Sequence, residues 1–405
     1  MTLRAHTEAW LAAHHDDLVA WRRHIHTNPE LGRQEFATTE FVATRLADAG
    51  LNPKVLPGGT GLTCDFGPED RPRVALRADM DALPMAERTG LPFSSIVPGV
   101  AHACGHDAHT SVLLGAGLAM ASAPELPVGV RLIFQPAEEL MPGGAIDAVA
   151  AGAVAGVARI FALHCDPRLE VGKVAVRLGP ITSAADSIEI TLHSPGGHTS
   201  RPHLTGDLVY ALGTLITGVP GVLSRRIDPR KSTVMVWGAV NAGVAANAIP
   251  QTGTLAGTVR TASRDTWLTL ESLVREIVSS LLAPLAVEHS VNYRRGVPPV
   301  VNEEVATRIF THAIEALGAE ALAAKVGAFV TQNPQVPVFV AGDAHADLLD
   351  RAQCLDDLLD AHPGLVLQVS ADGQGGEDDG QVGLDGCAGV VKHGPSTKVA
   401  LGHAK

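Results

Sequence analysis

Two short β-branched runs, VALRAD (74–79) and VRLIFQ (130–135), flank a helical stretch rich in Ala, Gly and Leu at 110–122, and these segments decide the fold. IFALHC (160–165) follows as a further run of the same kind, with its polar residues at the C-terminal end. Strands that alternate with helices predict βαβ units and a mainly parallel sheet. Because ligands gather at the carboxyl ends of the strands in such sheets, the residues there are the first candidates for function.

The segments around this sheet predict two domains, which is also what 405 residues suggest. Helices are expected at 7–27 and 36–49, before the sheet. Beyond residue 184 the order strand, helix, strand, strand, helix, strand predicts a ferredoxin-like α+β sandwich. Its members are expected at 187–194, 206–223, 232–240, 253–261, 264–282 and 287–293. We therefore expect an α/β catalytic domain, 1–184 and 297–405, into which a smaller domain at 185–296 is inserted.

The composition excludes several classes of protein. A hydrophobic content of 46% argues against disorder, and a net charge of −12 without a basic stripe argues against a nucleic-acid partner. We find no run of the ~20 apolar residues that a membrane helix needs. Asp16, Asp17 and three His stand where a secretory signal requires an apolar stretch, and five scattered Cys do not form a disulfide framework, so a cytoplasmic location is expected.

Four clusters of ligand-type residues fall at the ends of predicted strands or in the loops that follow them. They are Asp79 with Asp81, His102 to Asp107, Gln135 to Glu139, and His164 with Cys165. Taken singly, adjacent glutamates are typical of a solvated loop, and a lone His at a strand end is typical of a hydrogen-bonded core residue. Because the strand ends of one parallel sheet converge on one crevice, the four clusters together predict a binding site.

The residue types in these clusters suit a divalent metal and hydrolysis. Cys104 and His106 flank Gly105, which lets a thiolate and an imidazole turn toward one point. Thiolate, imidazole and carboxylate ligands suit zinc, with manganese possible where carboxylates share the site. A structural zinc site would need four closely spaced Cys or His ligands, and Cys104 has no CxxC partner. Adjacent Glu138 and Glu139 allow one carboxylate to bind metal while the other takes a proton from the attacking water.

Six segments also carry a family resemblance. They are RRHIHTNPELGRQE (22–35), LRADMDALPM (76–85), HACGHDAHT (102–110), FQPAEE (134–139), HCDP (164–167) and GGHTSRPH (196–203). In order and in sequence they resemble the dinuclear metallo-amidohydrolases that include hippurate hydrolase, N-acyl-amino-acid amidohydrolases and auxin-conjugate hydrolases, within the aminoacylase and carboxypeptidase superfamily. The resemblance implies hydrolysis of the amide of N-acyl amino acids or similar small conjugates, two divalent ions per chain (zinc or manganese), and a homodimer or a dimer-based oligomer.

The resemblance also implies individual roles in the catalytic domain. The metal ligands would be Cys104, His106, Glu139 and His164. Glu138 would be the catalytic base, and Asp81 would be a carboxylate that orients a ligand, a role expected beside a metal-bound imidazole. For Asp79 and Asp107 a role at the site and a structural role, in which they hold loops through hydrogen bonds to the backbone, both stay open.

In the inserted domain the resemblance implies three further roles. His198 would donate to the oxyanion of the tetrahedral intermediate, in the family sometimes from the partner subunit. Asn247, in AANAIPQ, and Arg260, in GTVRT, would lie near the carboxylate end of the substrate. A guanidinium can bind a carboxylate through two parallel hydrogen bonds, although Arg260 also fits a surface position on a strand.

The C-terminal region departs from the family pattern from about residue 318. GGED (375–378) is followed by Asp379 where the family has Phe, and no helical pattern follows it. The resemblance implies that a His in this region completes the metal site as a fifth ligand, and for this role we prefer His393, after a Val-Val pair, to His403 near the chain end. We expect this tail to be loosely packed. Two alternative functions therefore stay open: a dipeptidase or carboxypeptidase of the same family, and an impaired homologue that binds metal or ligand without turnover.

Overall fold

The computed structural model describes residues 2–167, 169–170 and 172–317. The α-helices in these ranges are Leu3–Ala13 (α1), His15–Thr27 (α2), Phe36–Asp48 (α3), His106–Ala121 (α4), Gly144–Ala150 (α5), Leu208–Arg226 (α6), Arg264–Leu282 (α7) and Glu304–Leu317 (α8). The strands are Lys54–Val55 (β1), Leu62–Phe66 (β2), Arg73–Asp79 (β3), Gly129–Gln135 (β4), Val157–Ala162 (β5), Gly179–Pro180 (β6), Ala185–His193 (β7), Gly197–His198 (β8), Val234–Ala242 (β9), Ala248–Ile249 (β10), Thr252–Arg260 (β11), Glu288–Val297 (β12) and Val301–Asn302 (β13). The predicted tail, with His393 and His403, lies outside the described residues.

Of the described residues, the first compact unit contains those up to Gly179 and those of 301–317, and its main sheet has the order β1-β2-β4-β3-β5. Strand β3 pairs in parallel with both β4 and β5, as the βαβ pattern predicts. Strand β2 pairs antiparallel with both β1 and β4, so the sheet is mixed, but the other four strands run in one direction, in agreement with the predicted mainly parallel sheet. Strand β2 was not predicted, although Leu62, Cys64 and Phe66 alternate with polar residues, because it is only five residues long and lies outside the βαβ pattern.

Helices cover both faces of this sheet. Leu132 and Phe134 of β4 pack in the cluster that includes α4, whereas Ile133 faces the other way, in the cluster that includes α5. Helix α4 lies close to the sheet, since a Cβ on Gly117 would stand 2.3 Å from Leu132 Cδ1. This close packing fixes the start of α4, at His106, beside the carboxyl ends of the strands.

The N-terminal region holds two helices where the sequence predicts one over 7–27. Helix α1 ends before His14, whose backbone (φ −112°, ψ 18°) leaves the helical region, and α2 starts at the next residue. The His14 ring donates from Nδ1 to the Trp10 carbonyl at 2.8 Å, and a side chain that occupies a helix carbonyl competes with the backbone for it. The prediction over 36–49 agrees with α3 to within one residue.

The second compact unit is Pro180–Val300, and the sequence places the inserted domain at about 185–296. Its strands β7, β9, β11 and β12 form an antiparallel sheet of order β12-β7-β11-β9, packed against α6 and α7. Burial alternates along β7, with Ile188, Ile190 and Leu192 inward. The connectivity is that of the predicted ferredoxin-like sandwich.

Helix α6 is long and apolar enough, by length and composition alone, to cross a membrane, and no other helix of the described residues meets this test. Its residues Leu212, Leu215 and Val219 are buried in the cluster that also contains Ile190 of β7 and Leu255 of β11. These contacts place α6 in the core of its unit.

Candidate metal centre

The four predicted clusters meet at the carboxyl end of the β3-β4-β5 sheet. Cys104 Sγ lies 3.2 Å from His164 Nε2, which joins the loop before α4 to the segment after β5. His106 Nε2, at the first residue of α4, lies 3.8 Å from Glu139 Oε1 and 3.9 Å from Glu138 Oε2, both in the turn after β4. The structure therefore brings together five residues that the sequence predicts for this site.

Gly105 makes the convergence of its two neighbours possible. Its φ of +82° is in the left-handed region that glycine adopts readily, and a Cβ there would lie 3.1 Å from Cys165 Cβ. A larger residue would both strain the backbone and press on the segment after β5. The turn sends the side chains of Cys104 and His106 to the same side, as the sequence suggested.

The two imidazoles of the cluster are oriented by carbonyl groups. His106 Nδ1 lies 2.8 Å from the Asp81 carbonyl, and His164 Nδ1 lies 2.7 Å from the Cys165 carbonyl. A carbonyl oxygen only accepts, so each Nδ1 carries the proton and each Nε2 can coordinate a metal through its lone pair. The buried His106 Nε2 has no hydrogen-bond partner among the described residues and faces Asp79 Oδ2 at 3.6 Å.

The electrostatics of the cluster favour a cation. Burial lowers the pKa of His106, but the charges of Asp79 and Cys104 outweigh it and hold this pKa well above its usual value. Burial raises the pKa of Glu138 well above its usual range, and the charge of Glu139 raises it further. Two adjacent buried carboxylates and a thiolate are costly unless positive charge balances them. The donor set of sulfur, imidazole and carboxylate fits a divalent metal such as zinc or manganese.

Asp81 organises the residues around it. Its carboxylate accepts from the backbone N–H of Glu138 at 3.0 Å and from that of Glu139 at 2.9 Å, while its own carbonyl accepts from His106. Asp81 therefore orients one imidazole and the turn that presents both glutamates. This arrangement supports the orienting role that the resemblance implies.

Asp79 supports the site through a buried network. Its carboxylate accepts from Arg77 at 2.8 Å and from His109 Nδ1 at 2.5 Å, and Arg77 also donates to Gln135. His109 Nε2 accepts the backbone N–H of Cys165 at 2.8 Å, which requires the proton on Nδ1. Although His109 lies in a group with Asp79 and His106 whose atoms could hold a metal, both of its nitrogens are occupied, so it is a support rather than a ligand.

Asp107 ties two helices together. It accepts from Arg22 Nε at 2.8 Å and is paired with His26 Nδ1 at 2.9 Å, which joins α4 to α2. For Asp107, as for Asp79, the contacts favour a structural role, with Arg and His side chains as partners rather than loop backbone. His102 in the same motif is buried and uncharged near neutral pH, because burial lowers its pKa to about 4.

In the second unit, His198 and Asn247 lie next to each other, whereas Arg260 lies at a distance from both. His198 in β8 pairs with Ala248, and Thr199 N–H donates to the Asn247 carbonyl at 3.2 Å. The exposed His198 ring accepts the Ser200 N–H at Nδ1, so a neutral ring carries its proton on Nε2 and can donate from there. Arg260 ends the nine-residue β11, whose first residue follows this loop; at ~3.3 Å per residue the strand's ends are roughly 26 Å apart.

The mixed α/β sheet, the inserted sandwich and the acidic Cys/His/Glu cluster at the strand ends define a metal-dependent hydrolase. Residues 75–349 match the description "Peptidase family M20/M25/M40". The chain belongs to this family, which confirms the resemblance drawn from the motifs.

Known proteins agree with this assignment. A solved Bacillus subtilis structure, described as a dinuclear metal binding peptidase from the M20 family, aligns with a TM-score of 0.69 and 29% identity over 87% of this chain and 98% of its own. The N-acetyl-L-cysteine deacetylase of Bacillus subtilis (strain 168) is 35% identical over 292 residues, 72% of this chain and 70% of the relative. The predicted α/β fold and the class of metal-dependent hydrolase are confirmed.

A third relative is matched over only part of its length. It is a Rhodococcus jostii (strain RHA1) protein named as a glutamate–cysteine ligase, 57% identical over 300 residues, which are 74% of this chain and 38% of that protein. The chain thus spans little more than a third of this relative. The family match of this chain at 75–349 is to a peptidase family, so the ligase name of a protein that it covers only in part is no guide to its chemistry.

Proposed function

We propose that this chain hydrolyses the amide bond of N-acyl amino acids or similar small conjugates and releases a carboxylic acid and an amino acid. The observation that carries the proposal is the buried carboxylate of Glu138, 3.9 Å from His106 Nε2, with Oε2 unpartnered among the described residues. A base in this position, beside a set of metal-ligand residues, suits the activation of water. The 35% identical N-acetyl-L-cysteine deacetylase supports the same bond type.

Two divalent ions, zinc or manganese, are part of this proposal. Cys104, His106, Glu139 and His164 would hold them, with His393 as a further ligand from outside the described residues. When bound, the ions supply Lewis-acid catalysis that polarises the amide carbonyl and stabilises the charge that develops on its oxygen.

The residues of the chain would then move the protons. Glu138 takes a proton from the attacking water at Oε2 as the new C–O bond forms, and returns it to the leaving nitrogen as the C–N bond breaks. His198 would donate from Nε2 to the developing oxyanion, and such a donor acts mainly on the transition state. Asn247 and Arg260 remain proposed partners of the substrate carboxylate, and because they lie toward opposite ends of β11, one of them would come from the partner subunit of the dimer proposed below.

We also propose a homodimer formed through the second unit. Strand β9 is an edge of its sheet and exposes Val234, Val236 and Val240, which are each at least half exposed. An apolar edge strand without cover is a ready surface for pairing. Sedimentation should therefore give twice the 42.0 kDa of one chain, and Val236→Lys should shift the protein toward the monomer. A monomeric parent protein at micromolar concentration would contradict this proposal.

A cytoplasmic location is proposed as well. Among the described residues, Cys64, Cys104 and Cys165 form no disulfide bond. A thiol that serves as a metal ligand is best preserved in a reducing compartment.

The proposed function is tested with protein loaded with zinc or manganese and a panel of acylated amino acids that begins with N-acetyl-L-cysteine. We expect release of the free amino acid, loss of this activity with a chelator, and its recovery when metal is restored. Each substrate should be paired with a dipeptide of the same C-terminal residue, because preference for a free α-amine would indicate a dipeptidase instead.

The metal content of the same protein distinguishes an active enzyme from an impaired homologue that binds without turnover. Two ions per chain are expected for the proposed site. None or one ion, together with no turnover across the panel by folded protein, would favour a homologue that binds without catalysis.

A further inference from the structure

The turn that carries Glu138 and Glu139 is held by two buried carboxylates. Three successive backbone N–H groups donate to them: Ala137 to Glu35 Oε1 at 2.6 Å, and the two glutamates to Asp81. Asp81 lies within the metal cluster. Glu35 lies 102 positions before Ala137 in the chain, at the end of the 22–35 segment that carries the family resemblance but was assigned no part in the site.

This turn needs support because its backbone is unusual. Ala137 has a φ of +51°, in the left-handed region that residues with a Cβ rarely adopt, and it is fully buried. Its carbonyl accepts the Gly144 N–H at 3.0 Å, and a Cβ on Gly144 would stand 2.1 Å from the Pro136 carbonyl oxygen. The turn is thus closely packed on one side and depends on Glu35 as the acceptor for the Ala137 N–H.

Glu35 is itself held in place. It is fully buried at the start of α3, and its carbonyl accepts both the N–H and the hydroxyl of Thr39, at 2.9 and 2.6 Å. Thr39 Oγ1 in turn accepts the Gly61 N–H at 2.9 Å. An acceptor with a fixed position can hold the turn in one conformation, whereas a mobile acceptor would move together with the turn and could not restrain it.

The buried carboxyl group of Glu35 lowers the stability of the fold. Its Oε2 has no hydrogen-bond partner among the described residues, and burial raises the pKa of Glu35 to about 7. A buried, incompletely bonded carboxyl lowers stability. A neutral amide at this position would keep the acceptor oxygen, so the contribution of the acceptor can be separated from that of the charge.

We propose that Glu35 is a positioning residue that fixes the 137–139 turn and thereby places the Glu138 carboxylate for proton transfer. The proposal rests on the function proposed above and extends it to a residue outside the metal cluster. Glu35 acts through the backbone of Ala137, so its removal should change the rate of the chemical step more than the binding of substrate.

Three variants test this proposal. Glu35→Ala removes the acceptor and should lower kcat ~10–100-fold with KM within about threefold, the range typical when a supporting residue is lost. Glu35→Gln keeps an acceptor oxygen and should recover most of kcat. Glu30→Ala is the matched control, because Glu30 accepts from Ala37 N–H and from Thr38 at the same helix start without touching the turn. It should lower stability but leave kcat of the folded protein unchanged.

The outcomes separate this proposal from the function on which it rests. Equal kcat values for the folded fractions of Glu35→Ala and Glu30→Ala would overturn the positioning role. If the parent protein turned over no substrate, the proposed function would fail and zinc titration would decide the role of Glu35. Weaker zinc binding by Glu35→Ala alone would support positioning of the Glu139 side of the turn, and equal binding by all three variants would overturn it.

Discussion

Replacing Glu138 by Gln should lower turnover ~100–10,000-fold while the protein keeps its fold and its metal, since this is the range for loss of a general base. The amide matches the carboxylate in shape but has no basic oxygen. The contact that sets the position of residue 138 runs from its backbone N–H to Asp81, so the substitution does not disturb it. The measurement is kcat on the best acylated substrate, with metal content determined on the same sample.

The adjacent carboxylate provides the contrast. Glu139→Gln alters a proposed ligand and should lose metal together with turnover, whereas Glu138→Gln should lose turnover alone. Because burial makes the charged form of Glu138 costly, Glu138→Gln should unfold no more easily than the parent protein. Turnover by Glu138→Gln within a few-fold of the parent would remove this residue from the role of base.

The location of the site could be predicted because parallel strands bring their carboxyl ends to one edge. Asp79 ends β3, while Glu138 and His164 follow β4 and β5, so a correct assignment of the strands was enough to place these residues together. The pair of adjacent glutamates predicted one base and one metal ligand, and the resemblance assigned Glu138 as the base and Glu139 as the ligand. The structure adds the reason for their placement, which is the double acceptance of their N–H groups by Asp81.

The supporting residues could not be predicted, because their partners are far away in the chain. Arg22 meets Asp107 across 85 positions, and Arg77 meets Gln135 across 58. No local period links such residues. The one available signal was Arg77 itself, a charge in the middle of a strand that otherwise reads as buried, which implies a buried partner.

In the inserted domain, by contrast, the separation between Asn247 and Arg260 could have been predicted from the sequence. Asn247 lies in the loop before the strand predicted over 253–261, and Arg260 lies near the last residue of that strand. The length of the strand therefore separates the two residues, and they could have been assigned to its opposite ends. The family resemblance placed both near one substrate carboxylate. Within this unit only Asn247 is next to His198.

Replacing Cys104 by Ser should weaken metal binding far more than it weakens the fold. A hydroxyl stays protonated near neutral pH where a thiolate would bind, so the ligand is lost although the side chain keeps nearly the same size. Loss of a residue that only supports a ligand weakens metal affinity ~10–100-fold, and loss of the ligand itself should exceed ~100-fold. The measurement is metal content after dialysis against a chelator of known affinity, beside thermal unfolding of the metal-free protein.

His109→Ala is the matched control, because His109 lies in the same cluster but has both ring nitrogens occupied. The substitution removes the partners of Asp79 Oδ1 and of the Cys165 N–H, and each unpaired buried group costs ~1–3 kcal/mol of stability. Metal binding should persist in His109→Ala while the unfolding temperature falls, the reverse of the pattern for Cys104→Ser. Loss of one ion by His109→Ala at unchanged stability would make His109 a ligand, and unchanged metal content in Cys104→Ser would exclude Cys104 from that role.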